Sequence, residues 1–232
     1  MEENVYEKFE LRENRAEDFV PREYQVEILE KALKHNTIVY LPTGSGKTFI
    51  AAMLIKYKSQ CLLKKYTDGG KRTFFLVNTV ALVSQQAESL RRQLPLEIGE
   101  YCGYMGVDYW NADIWKQELD KNQVLVMTAQ VFLNMLHHGY ISLPDVNLLI
   151  MDECHHAVNH HAMRQIMQQF EGLSIEQQPH ILGLTATLLN SNCKSDKVES
   201  EIHSLEVTLQ SKIVSAVNED MVQVCVYISS LL

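Results

Sequence analysis

The segment Pro42-Thr-Gly-Ser-Gly-Lys-Thr48 constrains the fold of this chain more than any other. It follows a short apolar run, Thr37-Ile-Val-Tyr-Leu41, and precedes Phe49, Ile50, Met53 and Leu54, which recur at helical spacing. A glycine-rich turn between a strand and a helix places the helix's first N–H groups around an anion. Thr43, Gly44, Ser45 and Gly46 form that turn. The two glycines let the backbone wrap closely around phosphate oxygens. Lys47 is placed to reach β- and γ-phosphates, and the Thr48 hydroxyl to ligate Mg²⁺. The general phosphate-loop pattern has Gly where this chain has Leu41.

A loop of this kind needs a parallel sheet behind it, and the flanking sequence supplies one. Apolar runs at Thr73–Val77, Val124–Met127, Val146–Met151 and Ile181–Leu184 read as buried strands. Between them lie stripes at helical spacing: Val83, Ala87, Leu90 and Leu94; Phe132, Met135 and Leu136; Met163, Ile166, Met167 and Phe170. Upstream, Pro21 opens a helix carrying Ile28, Leu29, Ala32 and Leu33. Strands alternating with amphipathic helices predict a doubly wound, mostly parallel α/β domain over residues 21–190.

The second chemical motif is Asp152-Glu-Cys-His155, at the carboxyl end of the Val146–Met151 run. Open α/β sheets bind ligands at that edge. Asp152 suits Mg²⁺, and Glu153 suits activation of a water. Cys154, His155, His156, His160 and His161 also raise the question of zinc, but their spacing matches no known ligand set. His156, His160 and His161 read instead as solvated residues at the front of a helix.

The formal charge of −8 excludes binding of nucleic acid by bulk attraction, so any such contact must come from local hydroxyls, amides and a few cations. No window approaches the roughly 18 apolar residues of a membrane span. The five cysteines form no C-x-x-C pair, and the acidic start Met-Glu-Glu-Asn has no signal-peptide pattern. The expectation is a soluble, cytoplasmic protein with reduced thiols and no membrane partner.

These motifs resemble the DExD/H-box helicases of superfamily two. Three more segments fit in the right order. Arg22-Glu-Tyr-Gln25 looks like the Gln motif, in which Gln25 can pair with adenine N6 and N7. Asn78-Thr-Val-Ala-Leu-Val-Ser-Gln85 looks like the motif after the second strand, and Gly183-Leu-Thr-Ala-Thr187 like motif III. Asp-Glu-Cys-His, Tyr101–Trp110 and Gln123–Gln130 resemble the Dicer branch, and the intact ATP residues look like the ATP-using Dicers of insects.

The resemblance implies a RecA-like first motor half that uses ATP and Mg²⁺ and acts on double-stranded RNA in RNA interference and antiviral defence. It implies that His155, Thr185 and Thr187 couple the motifs, and that Thr79, Gln85, Thr128 and Gln130 line the RNA track. Helix capping by Thr79 and Thr128 is the competing reading for those two. The second RecA-like half with its arginine finger, and the ribonuclease domains, lie outside this sequence. The alternative to a motor is a non-catalytic short product that binds nucleotide, RNA or protein partners.

Residues 1–20 read as a lead-in, 191–217 as a linker plus the first helix of the family's helical insert, and 218–232 as an atypical tail. Val198, Ile202, Leu205 and Leu209 mark that helix as amphipathic and in need of a partner. The run Met221–Ile228 is β-prone. On this division, removing everything after Asn190 should improve solubility and leave nucleotide binding intact.

Overall fold

The structure is a computed structural model, and it describes residues 20–188 and 198–216. The five apolar runs are strands: β1 (Thr37–Tyr40), β2 (Arg72–Val77), β4 (Val124–Thr128), β5 (Val146–Asp152) and β6 (His180–Thr185). Two more, β3 (Ile98–Tyr101) and β7 (Lys212–Val214), complete a seven-stranded sheet in the order β3-β4-β2-β5-β6-β1-β7. Every pairing is parallel.

Parallel pairing explains the unbroken apolar runs, because helices cover both faces of the sheet. Alternate residues serve opposite cores. Phe74, Leu76, Leu125, Met127, Leu149 and Met151 join one; Phe75, Val77, Val124, Val126, Leu148 and Ile150 join the other. The second face is covered by α1 (Glu23–Lys34), α2 (Lys47–Tyr57) and α3 (Val80–Gln93). The first is covered by α4 (Ala112–Lys121), α5 (Ala129–His137), α6 (Ala162–Gln168) and α7 (Val198–Thr208). Helix α2 lies between α1 and α3 and buries Ile50 through Ile55 without a break, so it has no solvent face along that stretch.

Several expectations need correction. Helix α1 starts at Glu23, with Arg22 rather than Pro21 at its boundary; the Gln25 Oε1 accepts the Arg22 N–H at 2.9 Å and closes the cap. Strand β3 escaped notice because Ile98-Gly-Glu-Tyr101 is an edge strand interrupted by Gly99 and Glu100. Helix α4 buries only Trp115 and Leu119, too few positions to give a periodic signal.

The largest correction concerns the segment set apart as an appendage. Val198, Ile202, Leu205 and Leu209 are 1%, 8%, 5% and 0% exposed and belong to the main core. Helix α7 then hands the chain to β7, which pairs with β1 through Thr37↔Lys212 and Val39↔Val214. A Cβ on Gly183 would meet Cys154 Sγ at 2.9 Å, Ile38 Cγ1 at 3.2 Å and Leu209 Cδ1 at 3.4 Å, so glycine here admits the end of this segment against the sheet. The linker Ser191–Ser195 and the run Met221–Ile228 lie outside the described residues.

Truncation after Asn190 therefore exposes β1 and an apolar core face. It should lower solubility and thermal stability, the reverse of the sequence-based expectation. Leu209→Ala in the full chain should cost about 2–5 kcal/mol. Urea denaturation checks the substitution; an unchanged midpoint would show that α7 is not part of the cooperative unit.

Candidate active site

All strands point the same way, so their carboxyl ends form one edge. Tyr40 pairs with Thr185, Val39 with Leu184, and Leu184 with Asp152. This register brings the phosphate-loop motif, Asp152-Glu153 and the Thr185–Thr187 motif to adjacent strand ends. Leu41, which stands where the general loop pattern has Gly, is 2% exposed and donates its N–H to Thr185 O at 3.1 Å. Its N–H extends the bonding to β6 one residue past β1, and the glycine-rich turn starts after it.

Gly44 and Gly46 have φ of +79° and +86°, conformations that favour glycine. A Cβ at Gly46 would stand 2.4 Å from the Gln25 Nε2, so this position is doubly restricted. Gln25 is 5% exposed, and its Nε2 donates to Ser45 O at 3.1 Å. The Tyr24 hydroxyl donates to the same carbonyl at 2.7 Å. Gln25 thus braces the loop from beneath: one side of its amide is spent on Arg22 and the other on Ser45. Thr43 is exposed at the turn. The Lys47 ammonium donates to Leu41 O at 2.9 Å and Pro42 O at 3.2 Å, holding it at the loop's mouth.

Thr48 and Asp152 are joined by a residue that the sequence reading missed. The Thr48 hydroxyl donates to Gln86 Oε1 at 3.0 Å, and Gln86 Nε2 donates to Asp152 Oδ2 at 2.9 Å. The other carboxylate oxygen accepts the Glu153 N–H at 3.1 Å. A signal was present: Gln86 stands in the apolar stripe of α3 beside Val83, Ala87 and Leu90, where a polar side chain must find a buried partner. Its neighbour Gln85, which the motif resemblance singles out, is exposed. Burial pushes the Asp152 carboxyl up to about 6, the neighbouring Glu153 charge adds to the rise, and the Glu153 N–H, Lys47 and Gln86 oppose it. A hydroxyl and a carboxylate gathered beside a lysine form a hard oxygen donor set, which fits Mg²⁺.

Glu153 is non-glycine yet left-handed, at φ 51° and ψ 46°. Such conformations are uncommon and collect at functional sites. Its Oε2 lies 3.4 Å from His155 Nδ1, and its carbonyl accepts from Asn78 Nδ2 at 3.4 Å. His155 Nδ1 also lies 2.8 Å from Thr185 Oγ1. The Thr185 hydroxyl proton goes to Thr187 O, so the hydroxyl accepts from the ring, and His155 carries its proton on Nδ1. Burial, then the neighbouring His156, holds the His155 pKa below its ordinary value. His155, Thr185 and Thr187 are therefore brought together as a link between β5 and β6. Cys154 is fully buried against Gly183, and His161 accepts the Met163 N–H at 3.2 Å, so these two serve packing and capping.

Thr79 and Thr128 both occupy helix N-cap positions, but neither side chain accepts a hydrogen bond from its helix. They lie at the same sheet edge, since Val77 pairs with Thr128. Gln130 is exposed and donates to Asn134 Oδ1 at 3.0 Å.

The family described as type III restriction enzyme, res subunit, matches residues 18–190. The chain is 46% identical over 198 residues to the endoribonuclease Dicer of Gallus gallus, covering 85% of this chain and 10% of that protein. It is 43% identical over 205 residues to the endoribonuclease Dicer homolog 2 of Arabidopsis thaliana, covering 86% of this chain and 15% of that one. It therefore spans about a tenth to a seventh of the length of these relatives. The helicase domain of Pyrococcus furiosus Hef has the same fold, with a TM-score of 0.66 and 28% identity over 88% of this chain and 40% of that one.

Asp152 generates a signed prediction. Its folded-state pKa of about 6 lies above the ordinary carboxyl value, so folding favours the protonated form. The associated stability is present at low pH and lost as pH rises through about 6. Asp152→Asn should thus raise unfolding free energy by about 3 kcal/mol near neutral pH, with little effect by about pH 4. Denaturant titrations across that range test it; a gain independent of pH would mean that the carboxylate is not the source.

Proposed function

The chain belongs to the type III restriction enzyme, res subunit family, and from that premise we propose that it is the ATP-binding first motor half of a Dicer-type double-stranded-RNA helicase. The observation that carries this reading is the continuous chain Thr48–Gln86–Asp152, which ties the phosphate loop to the acidic motif in one buried network. Gly44, Ser45, Gly46 and the start of α2 cradle the phosphates, with Lys47 as their cation. Thr48 and Asp152 would hold Mg²⁺, which when bound neutralises charge on the β- and γ-phosphates. Glu153, held left-handed beside His155, takes the proton of the attacking water.

RNA as the track is supported by the relatives' being endoribonucleases and by the two uncapping threonines at one sheet edge. Thr79, Gln85, Thr128 and Gln130 offer hydroxyls and amides that position a sugar-phosphate backbone without reading bases. The reading extends to RNA silencing and antiviral defence in the cytoplasm, where the free thiols Cys61, Cys102 and Cys154 remain reduced.

Turnover by this chain alone should be slow. Among the described residues, Arg72 is fully buried in the fold and Arg91 is tied to Glu100, and Arg22, Arg92 and Arg164 stand in no recognisable finger motif. That group is worth about 10³–10⁵-fold in rate in related phosphoryl transfer. Lys47→Ala should abolish binding of a fluorescent ATP analogue, and equal affinity in the two proteins would sink the assignment. ATP hydrolysis should stay near background with or without double-stranded RNA; strong RNA stimulation would show that a second copy completes the site. In a full-length Dicer carrying this domain, Glu153→Gln should block ATP-driven translocation and spare ATP binding.

A further inference from the structure

Gln86 is placed where a leucine would serve the core better. It is 9% exposed on the buried stripe of α3, with Val83 and Leu90 one turn to either side. Its amide has one accepting end and one donating end. The donating Nε2 faces Asp152 Oδ2, which only accepts, so Oε1 must face Thr48. An oxygen that only accepts obliges the Thr48 hydroxyl to donate. Its proton is thereby drawn toward α3, and its lone pairs are left for another partner. Asp152 is held in the same way: Gln86 takes one lone pair of Oδ2 and the Glu153 N–H takes one of Oδ1. Each oxygen keeps a second lone pair. The opposite amide orientation would set Oε1 against a carboxylate oxygen, lone pair to lone pair.

We propose that Gln86 is a positioning residue of the Mg²⁺ site, which fixes the direction of the Thr48 hydroxyl and the plane of the Asp152 carboxylate so that both present lone pairs to the cation. The inference rests on the nucleotide-site reading above. It goes beyond that reading by giving the α3 helix, which contributes no ligand itself, control over how well the two ligands are aimed. Partners that orient metal ligands from behind typically contribute 10–100-fold in metal affinity. A purely structural role would weaken the fold, and nucleotide binding with it, whether or not the metal is present.

The test separates these roles by titrating Mg²⁺ rather than by measuring turnover. Wild type, Gln86→Met and Gln86→Asn are compared for binding of a fluorescent ATP analogue, first in EDTA and then across a Mg²⁺ series. Methionine keeps the length and volume without hydrogen bonding. Asparagine keeps the amide but is one methylene too short to span Thr48 and Asp152, and it guards against a failure of the first variant to fold. Affinity in EDTA, set by the loop backbone and Lys47, should be unchanged in both variants. The Mg²⁺ concentration that gives half the enhancement should rise by about 10–100-fold. A wild-type Mg²⁺ midpoint in either folded variant overturns the positioning role and leaves the nucleotide site standing. Loss of binding in EDTA as well overturns it in favour of a structural role. A wild type without any Mg²⁺ enhancement overturns the metal-site reading itself, and this inference with it.

Discussion

The buried carboxylate of Asp152 sets the terms for everything around it. It ends a strand whose preceding residues are almost all apolar, it is 6% exposed, and it sits beside a second carboxyl group. An unpaired charge at such depth would neutralise itself or break the fold. Three features prevent that: the Glu153 N–H, the Gln86 amide and the nearby Lys47. Each comes from a different part of the chain, so the helix and loop elements are held to the strand ends by one charge. The Asp152 carboxyl remains raised to about 6 despite all three, because burial outweighs them.

The same edge is linked sideways. Glu153 adopts a left-handed backbone, and Asn78, from the end of β2, donates to its carbonyl. His155 then passes a hydrogen bond to Thr185, whose proton goes to Thr187 O. Strands β2, β5 and β6 are consequently joined beyond their last ladder bonds by side chains, not by further sheet. Glu153 is therefore held through its carbonyl by Asn78, with His155 Nδ1 3.4 Å from its carboxylate.

The fold was legible wherever burial left a pattern. Strands covered on both faces read as unbroken apolar runs, and long helices read as stripes, so β1, β2, β4, β5 and β6 were found near their observed bounds. The position of the glycine-rich loop and the acidic pair at one sheet edge was legible because each directly follows an apolar run that forms a strand. What escaped was short or at an edge: β3, with one face of its Gly and Glu outside the core pattern, and β7, only three residues long. Gln86 escaped for another reason. Polar residues in a stripe are usually discounted as interruptions, whereas here the interruption marks where the core opens onto the site. The bonds of the Gln25 amide to Arg22 and Ser45, which support the loop from below, have no counterpart in a sequence pattern.

The segment after residue 197 shows how remote chain supports the strand edge that carries the candidate site. β1 carries the phosphate loop and has four residues, with β6 on one side. Without β7 it would be an edge strand, its outer N–H and C=O groups unpaired and its loop anchored on one flank only. β7 closes that flank, and Lys212 N–H donates to Asn36 O at 3.1 Å at the start of the pairing. Asn36 in turn accepts the Ile181 N–H through its side chain at 2.9 Å, joining the neighbouring strand β6 at the same level. Leu209, fully buried, joins Cys154 and Ile38 in closing the space over Gly183. Gly183 belongs to the motif that leads to Thr185 and Thr187, so the packing of α7 reaches the strand end that orients His155. A segment that looks peripheral in sequence therefore bears on both flanks of the candidate site: on the Pro42–Thr48 loop through β1, and on the His155–Thr185 link through β6.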